Sequence, residues 1–135
     1  MYEYVAKIQR VVDADTIDVS IDLGFDVWTR QRVRLSGLNA AEKNTQEGRN
    51  ALEYARNVLK HNMEVILRSY DDKKEKYGRY LAEIWITKDQ SYNETLLKLG
   101  YAVPYDGKSP KELHVPRLRS EDTAGLTYEQ AFPHG

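Results

Sequence analysis

Over residues 2–12 (YEYVAKIQRVV) apolar and polar side chains alternate, the two-residue period of a strand with one buried face. Asp13-Ala14-Asp15 interrupts the alternation, which resumes over residues 16–21 (TIDVSI). The stretch DLGFD at 22–26 carries turn chemistry, with Gly24 able to take a positive φ. Residues 27–35 predict a third strand whose outward positions are crowded with Arg30, Arg32 and Arg34. Three strands joined by short turns make a meander. Between residues 45 and 60 the period changes: Ala51, Leu52, Ala55, Val58 and Leu59 fall at helical spacing. Residues 63–68 (MEVILR) and 79–86 (RYLAEIWI) predict two more strands around a charged loop, DDKKEKYG. Ser91-Tyr92-Asn93-Glu94 has the S-x-x-E spacing of a capping box and opens a short helix that ends near Gly100.

Beyond residue 104 the pattern is less legible. Pro110 and Pro116 suit the first position of a helical turn, and Gly125 interrupts one. The order βββ-α-ββ-α predicts an α+β fold, a five-stranded Greek-key barrel of the OB-fold type with two to three packed helices. Periodicity alone fits a half-open sheet with packed helices nearly as well. No repeat, low-complexity tract or linker divides the chain, so residues 1–135 are read as one domain, long enough to bury a core without staples.

Composition narrows the chemistry. The chain has no Cys, which excludes disulfides, a thiol nucleophile and Cys-ligated zinc. With only His61, His114 and His134 there is no HExxH motif and no workable Ser-His-Asp order. Hydrolysis would fall to carboxylates, arginines or a hard metal ion. Net charge is −1, from 20 Lys+Arg against 21 Asp+Glu, so a nucleic-acid site must be local rather than a broad basic surface. No apolar run approaches the roughly 18 residues of a membrane span, so no membrane partner is expected. The first residues lack a signal-peptide core, so the chain as given is expected in the cytoplasm, or secreted if a leader has been trimmed.

Four patches carry the functional reading: VVDADT at 11–16, VRLSGLNAAE at 33–42, KYGR at 76–79 and YNETLLKLGYA at 92–102. In this order and spacing they resemble the staphylococcal nuclease (thermonuclease) family. The resemblance is strongest over 5–102 and leaves 103–135 divergent, although RLRSEDTAG is similar to the start of the family's last helix. It implies an OB-fold barrel with three helices and a calcium-dependent phosphodiesterase, with Mg²⁺ or Mn²⁺ as other possible ions. The implied substrate is DNA or RNA, cut to leave a 3′-phosphate by a protein expected to be a monomer.

Position by position, the resemblance makes Asp15 a metal ligand and Asp13 a carboxylate just behind it. Arg34 and Arg79 become the two phosphate-binding arginines, and Glu42 the group that activates or orients the attacking water. Lys76 and Tyr77 become neighbours of the nucleotide's terminal phosphate, with Tyr101 and Tyr105 as candidates to flank the nucleotide. The family's D-[TA]-P-E is Asn39-Ala40-Ala41-Glu42 here, so an amide replaces the second ligating carboxylate. Ala40 would contribute only its backbone carbonyl.

These residue types suit the chemistry. Phosphodiester hydrolysis concentrates negative charge on phosphate oxygens, which the guanidinium fork meets bidentately. A hard cation prefers carboxylate and carbonyl oxygens. Taken singly, each residue has a plainer reading. Asp13 and Asp15 could end a strand in an Asx turn, Arg34 could be one more solvated charge, and Glu42 and Tyr77-Gly78-Arg79 are ordinary in loops. The tyrosines, Trp28 and Trp85 could stack bases, but on alternating strands aromatics more often pack in the core or across strands. His61 is expected at a helix dipole, Lys74 and Lys76 in a solvated loop, and Asn93 and Glu94 in capping and buried polarity. The rival to a nuclease is a nuclease-like OB domain with weakened catalysis that binds nucleic acid or protein. Asn39 is its strongest support.

Overall fold

A computed structural model describes residues 2–69 and 79–105. The predicted strands form with small shifts at their ends: β1 Tyr2–Asp13, β2 Thr16–Asp22 and β3 Trp28–Leu35, then β5 Glu64–Ser69 and β6 Tyr80–Thr87. Three short strands were not predicted: β4 Leu38–Ala40, β7 Gln90–Ser91 and β8 Ala102–Pro104. Runs of two or three residues show no period. The helices are α1 Gln46–Val58 and α2 Tyr92–Lys98.

The neighbours run β3-β2-β1-β5-β6-β7, and β3 also pairs in parallel with β6 (Val33↔Tyr80, Leu35↔Ala82). That pairing closes β1, β2, β3, β5 and β6 into a five-stranded OB-fold barrel, with two helices among the described residues, and the half-open sheet is excluded. β1 serves two partners, with Tyr2–Lys7 on β5 and Ala6–Asp13 on β2, and irregularities follow Ile8 and Val11. Such bulges add local twist, which suits a strand that turns a barrel corner.

Every barrel strand turns its alternate apolar residues inward, and Ile8, Ile17, Val19, Val33, Leu35, Val65, Leu67 and Ile84 are essentially inaccessible. α1 lays Ala51 and Ala55 against this core, where small side chains let the helix approach closely. α2 plugs the barrel with Tyr92 and Leu96, and burying a side chain such as Leu96 contributes about 1.5–3 kcal/mol. The Ser91 cap acts as predicted, its Oγ accepting from the Glu94 N–H, and Thr45 supplies an unpredicted cap whose Oγ1 accepts from the Gly48 N–H. The Glu94 carboxylate turns to Lys98 at 2.6 Å.

Asn93 is buried polarity with full occupation. Its Oδ1 accepts from the Ile84 N–H, and its Nδ2 donates to the carbonyls of Ser36 and Ala82. It thereby fastens the end of β3 to β6 at the seam of the barrel.

His61 follows the end of α1, and its Nδ1 lies 3.0 Å from the Gln9 carbonyl oxygen. The tryptophans take the second of their two expected places, across strands and outside the core. Trp28 lies under Lys7 Nζ at 5.2 Å and Trp85 under the Arg68 guanidinium at 4.2 Å, so both pair across strands with cations. The 103–135 helix expectation lies outside the described residues after 105, as do Lys74, Lys76 and Tyr77. No helix among the described residues is long and apolar enough to cross a membrane.

Candidate active site

The carboxylate turn between β1 and β2 is held from three sides. The buried Tyr92 hydroxyl donates to the Ala14 carbonyl at 3.0 Å. Burial raises the Tyr92 phenol well above its ordinary range, so the proton needed for this bond stays in place. The Leu35 N–H donates to the Asp15 carbonyl at 2.9 Å, tying the turn to the end of β3. The Ala40 N–H donates to Asp15 Oδ2 at 2.9 Å, and Thr16 Oγ1 donates to Oδ1 at 3.2 Å.

Arg34 leaves β3 opposite Thr16 and reaches into the same place. Its Nη1 lies 3.3 Å from Asp15 Oδ2 and donates to the Leu35 carbonyl, while Nη2 donates to Asn39 Oδ1. The side chain is only 12% exposed, so this is a held guanidinium and not a solvated surface charge. Asn39 comes to it on β4, which pairs with β8 through Asn39↔Val103.

The segment after β4 is fixed by its backbone. The Glu42 carbonyl accepts from both the N–H and the hydroxyl of Thr45, at 3.0 and 2.7 Å. It also lies against Gly48 of α1, where an added Cβ would meet the Glu42 carbonyl oxygen at 1.7 Å. The Glu42 side chain is exposed, and Lys43 Nζ reaches back to Asp13 Oδ1 at 3.4 Å.

Asp13, Asp15, Arg34, Asn39, Ala40, Glu42 and Arg79 all line one polar cleft of about 480 Å³, with Lys43 among its other walls. Arg79 immediately precedes β6. Tyr101 and Tyr105 are not among the lining residues. Tyr101 stacks on Tyr54 of α1 with ring centroids 4.9 Å apart, and the Tyr105 N–H bonds to the Gly37 carbonyl. Lys76 and Tyr77 belong to the undescribed 70–78 segment.

Sequence reading missed Tyr92, Thr45, Gly48 and Lys43. None of the four needs to touch a substrate; Tyr92, Thr45 and Gly48 fix the backbone that aims Asp15 and Glu42. The only advance signal was the Thr45-x-x-Gly48 start of a helix, three residues after Glu42.

Among the described residues no three His, Cys, Asp or Glu side chains are grouped so that they could hold a metal ion between them. The oxygens that the resemblance assigns to a cation are those of Asp15, the Asn39 amide and the Ala40 carbonyl, all from residues that line the cleft. They are hard donors with a single formal charge, and each side-chain oxygen already accepts a hydrogen bond from the protein. This set fits a hard cation that keeps several waters, at modest affinity, because ligand charge and site rigidity set affinity in oxygen sites.

A family profile described as "Staphylococcal nuclease homologue" matches residues 32–125. An uncharacterized protein of Methanocaldococcus jannaschii is 31% identical, over 91% of this chain and 71% of its own. Thermonucleases of Staphylococcus hyicus and Staphylococcus intermedius are 34% and 37% identical, over 74% and 70% of this chain. The alignments span 59% and 56% of those two proteins' lengths. A nuclease-like OB barrel, a cleft that unites charged residues from three of the four sequence patches, and this span of matched residues agree: the chain belongs to the staphylococcal nuclease family.

Proposed function

We propose that this protein is a metal-dependent endonuclease, most plainly with Ca²⁺, that hydrolyses phosphodiester bonds of DNA or RNA with little sequence preference. The observation that carries this reading is the shared cleft of Asp15, Arg34, Glu42 and Arg79. Two cations for phosphate oxygens and an unburdened carboxylate for water meet there on a rigid barrel end. Every one of these groups addresses phosphate or water and none a base edge, which argues against sequence readout.

In this mechanism Asp15, Asn39 and the Ala40 carbonyl would hold the metal ion. Bound, it supplies positive charge that polarises the phosphate. Arg34 and Arg79 bind the non-bridging oxygens and meet the charge that grows on them in the transition state. Glu42 orients the water and accepts its proton as the water oxygen bonds to phosphorus. The bond to the 5′ oxygen breaks, that oxygen takes up a proton, and a 3′-phosphate remains. Arg34 arrives already aligned by Asp15, Asn39 and the Leu35 carbonyl, so little order has to be gained on binding.

The direct test is digestion of plasmid and single-stranded DNA with added Ca²⁺, Mg²⁺ or Mn²⁺, repeated with chelator. Cleavage that requires metal supports the enzyme. Nucleic-acid binding without cleavage at high protein concentration transfers the assignment to a binding module.

Asn39→Asp tests the metal set. A second carboxylate should let a divalent ion compete better with the Arg34 guanidinium for these oxygens. The metal concentration for half-maximal cleavage is expected to fall, with a smaller effect on the rate at saturating metal. A metal titration of both proteins at one pH and ionic strength decides it. An unchanged midpoint would mean that residue 39 does not face the ion.

Gly48→Ala tests the loop. A methyl group 1.7 Å from the Glu42 carbonyl oxygen cannot be accommodated without moving that backbone. Helix propensity favours the alanine by about 1 kcal/mol, so α1 itself should persist. Moving a catalytic group by about 1 Å can cost roughly 10²-fold in rate. The expectation is a loss of that order with far-UV dichroism retained, and full activity would show that Glu42's position is not critical.

A further inference from the structure

Away from the cleft, the outward face of β1, β2 and β3 holds a second concentration of positive charge. Along β3 the outward residues are Arg34, Arg32, Arg30 and Trp28. Outward positions on a strand recur about every 7 Å, so the row runs about 20 Å from the cleft to the β2–β3 hairpin. Register places Asp18 and Ser20 of β2 beside Arg32 and Arg30, and Arg10 and Lys7 of β1 beside Asp18 and Ser20.

Three arginines therefore gather round one carboxylate, with Lys7 a step further along beside Ser20. Arg32 binds Asp18 with both arms, at 2.7 and 3.1 Å. Asp18 is held below its ordinary carboxylate range by that hydrogen bond first, with Arg10 and Arg30 adding through space. Arg10 and Arg30 are exposed and have no ion-pair partner among the described residues. The acids at the margins are otherwise engaged or set across a strand. Asp22 accepts from the Gly24 N–H, Asp13 faces Lys43, and Glu64 lies opposite Lys7 on β5. At the far end Trp28 has Lys7 near one ring face and remains 42% exposed. In a chain of net charge −1 this local surplus is unexpected on composition alone.

We propose that this face is a track for single-stranded nucleic acid, with phosphates on Arg10 and Arg30 and an unpaired base on Trp28. The track leads into the cleft at Arg34, and its purpose rests on the nuclease reading above. Charge complementarity and continuity with the cleft favour a polyanion. The aromatic at the end favours a single strand, because bases in a duplex already stack on one another and an unpaired base can stack on an exposed indole. Phosphate contacts along the row hold the strand without reading sequence.

The test is binding by the full chain in chelator, so that no cleavage intervenes, with fluorescein-labelled oligothymidylate of about 12 residues read by anisotropy at several salt concentrations. The Arg10→Glu/Arg30→Glu double variant should raise Kd at least tenfold and reduce the salt slope by about one for each phosphate no longer neutralised. Trp28→Ala should weaken binding roughly fivefold or more. In a Trp85→Phe background, the remaining Trp28 fluorescence should be quenched on binding. Lys88→Glu, on the β6–β7 turn, makes the same charge change per site and is expected to shift Kd less than twofold.

Thermal melts establish that each variant is folded, and Arg30→Gln, with its milder change, should give an intermediate Kd. Reversal variants that bind like Lys88→Glu, or an unquenched Trp28, would overturn the track. A duplex of equal length bound as tightly, and lost in the same variants, would overturn the single-strand assignment. The two readings fail separately. Loss of affinity in track variants of a protein that never cleaves would remove only the nuclease, whereas intact cleavage with unaffected binding would remove only the track.

Discussion

Glu42→Gln is expected to lower the rate of phosphodiester cleavage by roughly 10²–10⁴-fold, the range for a positioned general base. Glutamine keeps the shape and a hydrogen-bonding oxygen but cannot take the water's proton at neutral pH. The local structure should survive the change, because the backbone carbonyl of Glu42, not its carboxylate, anchors the loop to Thr45. The side chain is exposed and contributes nothing to the core. Melting temperature and oligonucleotide affinity in chelator should therefore stay near the parent values. Single-turnover cleavage at saturating metal is the measurement, and near-parent turnover would place the base elsewhere.

Arg34→Ala and Arg79→Ala should each reduce the maximal rate by roughly 10²–10³-fold, as expected for removing one preorganised donor to a developing oxyanion. Arg30→Ala and Arg32→Ala should reduce it far less, since Arg30 is exposed and Arg32 is committed to Asp18 on the outer face. Equal, small effects at all four positions would reduce Arg34 and Arg79 to ordinary surface charge. Arg34 carries a second expectation. Its removal strips Asp15 and Asn39 of a shared partner, so Arg34→Ala should also lower the melting temperature. Arg34→Lys restores the charge beside Asp15 but not the planar fork. It should recover stability much more than rate, and recovery of both would mean that charge alone is required.

The strands and helices were legible because their signal is local. Alternation over residues 2–12 or helical spacing from Ala51 to Leu59 reports which face of an element will be buried, whatever it is buried against. Barrel closure was not legible, since the β3–β6 pairing joins Val33 to Tyr80 and no period within either strand contains that choice. The same limit applies to β4 and β8, where Asn39 finds Val103 in segments too short to show alternation.

Sequence by itself determined the order of the five barrel strands and two helices, the absence of cysteine chemistry, the family resemblance and the identity of the charged residues worth testing. Tertiary structure decided which of them share a cleft. It separated Arg34, clasped by Asp15 and Asn39, from Arg32 two residues away, and it drew Tyr101 onto Tyr54 instead of the cleft wall. It also revealed the supports that aim the site: Tyr92 beneath Ala14, and Gly48 against the Glu42 carbonyl. The physical reason is one of range. Burial periodicity is written into neighbouring residues, whereas a hydrogen bond or a close approach between positions dozens of residues apart exists only after the barrel has closed and fixed the distance between them.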